Sequence, residues 1–195
     1  FIDRSGSPTP MATAKTGSFY LNETVSLPIN NAAGAAGRVT GTLDLSAYVN
    51  VPTGQAIAID QVDFIYQVSS DYGSDADAMM AGNGAITAQL TDLNPNTAFV
   101  QADNQSLVAS GSLNIDQTNN VASHVSDLYP DNFGPSGLSD MFICVNDQLY
   151  LTAGNFGAIS AGAALYVTAR IRCRVVKLSS KDWMAVAIQS TAADN

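Results

Sequence analysis

Apolar residues recur at every second position through much of this chain, the period of a strand with one buried face. Phe19, Leu21, Val25 and Leu27 begin a first strand, which Pro28 ends. Val39, Gly41, Leu43, Leu45, Ala47 and Val49 alternate with polar residues and predict a second. Residues 56–68 (AIAIDQVDFIYQV) predict a third, with a slip of phase near Asp60–Gln61 that calls for a bulge. A short strand is expected over 85–90 and a weaker one over 107–115. Met141–Val145 and Gln148–Thr152 flank Asn146-Asp147, a two-residue hairpin signal. The last strand has the cleanest pattern. Leu165, Val167, Ala169, Ile171, Cys173 and Val175 form an oily face, while Arg170, Arg172 and Arg174 form a ladder of guanidinium groups on the other.

Between these strands lie a small-residue loop at 30–37, loops at 69–84 and 155–162, and a long connection at 116–139. Connections as long as 116–139 are usually functional or covered by a partner. Ser179 or Ser180 is placed to cap a short helix running to Ile188, with an extended tail as the alternative. Residues 1–17 hold two prolines and read as an extended arm, either a frayed terminus or one that lies along a neighbouring subunit. The expected organisation is an arm (1–17), an all-β antiparallel sandwich of about eight strands in jelly-roll form (18–178), and a C-terminal tail (179–195).

Composition sharpens this picture. Only Glu23 among the 17 acidic residues is glutamate, and aspartate with 15 Gly favours turns over helix interiors. Charged residues make up 13%, about half the usual share, as expected of a surface covered by neighbours. The net charge of −9 argues against broad wrapping of nucleic acid. The two cysteines, Cys144 and Cys173, lie in apolar strand patterns and read first as buried free thiols, with a disulfide between them as the alternative. No run is long enough for a membrane-spanning helix. A start at Phe1 fits a chain whose upstream segment is removed or lies outside these residues.

Five of the eight basic residues fall between Arg170 and Lys181. Like charges side by side on a strand need a counter-charge. It can come from aspartates of an adjacent strand, from an acidic surface of another copy, or from phosphates of nucleic acid or lipid. Arginine's planar fork suits all three. Arg170, Arg172, Arg174, Lys177 and Trp183 are therefore the candidate contacts to a neighbouring subunit or to phosphate.

Other chemistry is thin. His124 is the only histidine; with Asp127 and a nearby serine it suggests a triad, but no G-x-S-x-G elbow accompanies it. Asp71, Asp75 and Asp77 cluster in one loop and are weak calcium candidates, since the EF-hand pattern fails at Gly82. Zinc lacks ligands, no phosphate-binding loop occurs, and no cofactor or enzymatic activity is expected. Asn22-Glu-Thr24 and Asn104-Gln-Ser106 match the glycosylation acceptor pattern.

The arm 1–17, about eight strands with long loops at 69–84 and 116–139, and a final long strand at 163–178 before a short tail together resemble single jelly-roll capsid proteins of small icosahedral viruses. The resemblance is architectural and covers the whole chain. It implies a structural virion protein that self-assembles as a homo-oligomer, in contact with other virion proteins. The chain departs from many members in lacking a strongly basic arm, for residues 1–17 hold only Arg4 and Lys15. The other class of function is a carbohydrate-binding or adhesin-type sandwich, for which Tyr66, Tyr72 and Tyr129 are the candidate exposed aromatics.

Overall fold

The computed structural model describes residues 12–69, 79–126, 142–159 and 164–192. Within them the strands are β1 (Ala12–Ala14), β2 (Phe19–Leu27), β3 (Val39–Asp44), β4 (Gln55–Val68), β5 (Gly84–Thr91), β6 (Leu107–Asp116), β7 (Val121–Ser126), β8 (Phe142–Cys144), β9 (Gln148–Phe156) and β10 (Leu165–Leu178), followed by helix α1 (Ser180–Ala192). One sheet has β10 at its heart, with β4 and then β8 on one side and both β1 and β2 on the other. The second sheet runs β3-β9-β5-β6-β7.

All the strand pairs are antiparallel, and four of them nest: β2 with β10, β3 with β9, β4 with β8, and β5 with β6. The chain is thus a ribbon folded back on itself. Rolling that ribbon brings β10 beside β4 and β9 beside β5. This is the jelly roll that the strand count and patterning lead one to expect.

The alternation of β10 decides which face is core. Leu165, Val167, Ala169, Ile171 and Cys173 are all buried, with Ile57, Ile59, Val62 and Phe64 of β4 beside them. Leu149 and Leu151 of β9 and Ile86 and Leu90 of β5 close the same cluster from the other sheet. Burying one such side chain contributes roughly 1.5–3 kcal/mol, so this shared interior is the main source of stability.

Near its C-terminal end β10 buries its other face too. Val176 and Leu178 join Ala56, Ala58, Val145 and Trp183 in a second cluster on the outside of the first sheet. Helix α1 forms the lid of this cluster. The Ser179 hydroxyl accepts from the Asp182 amide at 3.2 Å and donates to the Asp182 carboxylate at 2.8 Å, so Ser179 is the N-terminal cap of α1.

Several expected elements differ. Asn146-Asp147 does not close a hairpin: β8 belongs to the first sheet and β9 to the second. The turn is held from outside, since Asp147 O accepts from the Leu45 amide at 2.7 Å and the Asn146 side chain donates to Asp92 O at 3.0 Å. It is the corner where the chain changes sheets. The connection expected over 116–139 contains β7, which pairs with β6. β3 stops at Asp44, whose carboxylate accepts from the Ser46 amide and turns the chain before Val49. β9 runs on to Phe156, into residues expected to be loop. Of the arm, Ala12–Ala14 lie along β10 of the same chain.

Candidate functional site

The ladder lies on the outer face of the first sheet, and one backbone irregularity organises it. Opposite β10, the register of β4 shifts between Arg172 and Cys173, so that Arg172 faces Gln61 and Cys173 faces Ile59. Asp60 is the extra residue, at the place where the apolar alternation slips. Asp60 is in outward phase with Ala56 and Ala58, so its carboxylate meets the arginines, and the bulge beside it turns Val62 and Phe64 into the core. Arg172 Nε donates to Asp60 Oδ1 at 2.9 Å, and Arg174 Nη2 lies 3.7 Å from Asp60 Oδ2. Asp60 is only 4% exposed. Its hydrogen bond, reinforced by its charge, holds the Arg172 guanidinium above its ordinary value.

Arg170 is differently placed. Its Cα partners are Asp63 on β4 and Asn22 on β2. Its guanidinium lies 4.4 Å over the ring of Tyr20, which is itself 47% exposed. The Asp63 carboxylate accepts from the Gln61 side chain at 3.2 Å and 3.3 Å. Among the described residues Arg170 has no carboxylate partner. Stacking holds the fork still and leaves its in-plane donors free.

Lys177 is exposed, opposite Gln55 and Thr13. Trp183 is 6% exposed in the second cluster, so its ring is used within the chain. The candidate contacts thus separate into Arg172 and Arg174, which share the single carboxylate of Asp60, Trp183, which is buried, and Arg170 and Lys177, which face outward without a carboxylate partner among the described residues.

Cys144 and Cys173 are free and buried, as expected. Burial, with the charge of Asp60 adding to it, pushes the Cys173 thiol up to about 12. Burial drives Cys144 higher still. His124 is exposed on β7, its ring edge-on to Tyr66 at 5.7 Å. Asp127 lies outside the described residues, as do Asp71, Asp75 and Asp77. Among the described residues no three His, Cys, Asp or Glu side chains come together as metal ligands. Tyr66 is only 8% exposed, which removes it from any row of exposed aromatics, and Tyr72 and Tyr129 lie outside the described residues. Exposed Asn22 and Thr24 lie on strand β2, and Ser106 of the other acceptor triplet is buried.

A second arginine site escapes sequence reasoning. Arg38, just before β3, lies 4.3 Å over the ring of Phe99 and 5.9 Å over that of Phe156. These three residues are far apart in sequence, and no local pattern links them.

No family model matches the chain, and no curated protein matches it. Among solved structures it is similar to a chain of the virus-like particle of the extra small virus of the giant freshwater prawn Macrobrachium rosenbergii. The identity there is 12% and the TM-score 0.28, covering 89% of this chain and 88% of that one. It is also similar to VP1 of the trichodysplasia spinulosa-associated polyomavirus, at 13% identity and a TM-score of 0.35, covering 87% of this chain and 99% of that one. The assignment of the jelly roll rests on the strand pairing above.

Proposed function

We propose that this chain is a structural subunit of an icosahedral virus shell, one that self-assembles with copies of itself and performs no catalysis. The jelly roll is a fold of capsid domains, although it also serves lectins. The observation that carries the reading is Arg170. It is an outward-facing fork stacked on Tyr20, with no carboxylate partner among the described residues. The chain has 17 acidic residues against 8 basic ones. An aspartate of a second copy is therefore the readiest counter-charge, and phosphate of nucleic acid or lipid the alternative. Sparse overall charge agrees, because the buried core of an interface is depleted in charge. The place of action is then the virion.

Size-exclusion chromatography with electron microscopy of the purified protein tests this. Large closed particles are expected, and Arg170→Glu should abolish them while leaving the fold intact. A clean monomer at high concentration, arm included, would sink the proposal. Particles that form only with added nucleic acid or anionic vesicles would assign the fork to phosphate instead.

A further inference from the structure

The outer face of the second sheet carries an unassigned surface on the opposite side of the molecule from the ladder. Phe156, Ala85, Asn114 and Ser123 are successive Cα partners across β9, β5, β6 and β7. They form one rung spanning three strand spacings, about 14 Å. Their chain neighbours Asn155, Ile86 and Leu113 are buried, so this rung points away from the core. Phe156 is 43% exposed, Asn114 and Ser123 are exposed, and Ala85 leaves a low floor between them.

A wall bounds one end of this floor. The loop after β5 folds over the sheet and is pinned by Gln89, which donates to Val100 O at 3.0 Å and accepts from the Val100 amide at 2.8 Å. The loop brings Phe99 to Arg38. The stem of Arg38 lies against Gly154, where a Cβ would come within 2.9 Å of Arg38 Cγ. The segment before Arg38 is fixed as well, because Asn31 Nδ2 donates to Gly37 O and to Asn155 Oδ1, each at 2.7 Å. Arg38 Nε is buried without a partner, and no carboxylate among the described residues pairs with this guanidinium. At the other end, Asn114, Asp116, Asn119, Val121 and Ser123 line an open hollow of about 520 Å³. Asp116 accepts from Asn119 Nδ2 at 2.7 Å and from the Thr118 amide at 3.0 Å, which shapes the β6–β7 turn.

We propose that this shelf binds a carboxylate-bearing oligosaccharide, with Arg38 taking the carboxylate, Phe156 the apolar face of the acidic sugar, and Asn114 and Ser123 the hydroxyls of the next residue. The chemistry of the lining selects this class. A fork backed by two rings is pre-oriented for a planar carboxylate. An exposed ring beside it suits the C–H face of a pyranose. Neutral amide and hydroxyl groups suit sugar hydroxyls, whereas a polyphosphate would need more than one cation and would meet a chain of net charge −9. The inference does not depend on assembly, since the shelf is complete within one chain.

The test is saturation-transfer NMR and titration of the intact protein with trigalacturonate and with sialyllactose, against methyl-esterified trigalacturonate and lactose. At least one acidic sugar should bind at millimolar concentration or tighter, about tenfold better than its neutral counterpart. Which of the two binds tells the class of acidic sugar. Arg38→Gln and Phe156→Ala should remove that binding. Gly154→Ala keeps the charge but pushes the Arg38 stem aside, and should weaken binding in the same direction. Thermal unfolding of each variant shows that it is folded, and Gly154→Ala serves if Arg38→Gln is not. Absence of binding by both acidic sugars, equal binding of acidic and neutral sugars, or folded variants that bind like the parent would each overturn the proposal.

Discussion

One carboxylate, Asp60, divides the arginine ladder. It continues the outward phase of Ala56 and Ala58 and faces two guanidinium groups, at 2.9 Å and 3.7 Å. The bulge beside it resets the phase of β4, so that Val62 and Phe64 point into the core. The bulge was legible as a slip of phase at Asp60–Gln61, and the buried face of β10 as strict alternation. Which arginine is neutralised was not legible, because that depends on the register of β4 against β10 and on a ring, Tyr20, from a third strand. Asp60→Asn keeps the shape and removes the charge from a nearly buried site. It should cost roughly 1.5–3 kcal/mol, the range for hydrogen bonds to charged groups. Arg172→Ala should cost a similar amount by stranding Asp60, whereas Arg170→Ala should change stability by less than about 0.5 kcal/mol. Urea unfolding of the three variants checks this ordering. Equal effects of Arg170→Ala and Arg172→Ala would contradict the division of the ladder.

At the level of elements, periodicity located most of the strands and failed where neighbours in sequence are not neighbours in the sheet. Asn146-Asp147 has hairpin chemistry, yet the bonds that hold it come from Leu45 and Asp92, so the chain passes from one sheet to the other. β7 was hidden because Val121–Ser126 is exposed wherever its burial is described and shows no apolar rhythm; its pairing with β6 makes it a strand. The helix was legible through its serine cap, but the job of Trp183 was not. An aromatic residue near a chain end suggests an anchor to a neighbour, and only the packing of α1 on Ala56, Ala58 and Val176 shows it buried at home. Trp183→Ala should therefore destabilise the monomer by about 3–5 kcal/mol, the usual cost for a buried large side chain. Ser179→Ala should cost about 1 kcal/mol through loss of the cap. Chemical denaturation of a non-assembling Arg170→Glu background isolates these effects. A Trp183→Ala variant as stable as its parent would return Trp183 to the list of interface residues.

For the whole molecule, the sheet that carries the ladder also buries both thiols, and this ties stability to alkaline pH. An ordinary thiol loses its proton near 9.0, whereas Cys173 in the folded chain keeps its proton to about 12. Below pH 9 both the folded and unfolded chains are protonated at this site, and its contribution is complete. Between those limits the unfolded chain releases a proton that the folded chain retains, so stability falls as pH rises. The slope is about 1.4 kcal/mol per pH unit for each such thiol. Cys144, shifted in the same direction by burial, steepens the fall. The midpoint of guanidinium unfolding should accordingly hold steady through neutral pH and decline from about pH 9. Cys173→Ala, a small change in volume, should flatten that decline while lowering stability at neutral pH only modestly. Thiol labelling at pH 8 should be slow in the native protein and fast once it is unfolded. A Cys173→Ala variant with an undiminished alkaline slope would assign the loss to other groups. Rapid native labelling would show that the first sheet opens far more readily than its packing implies.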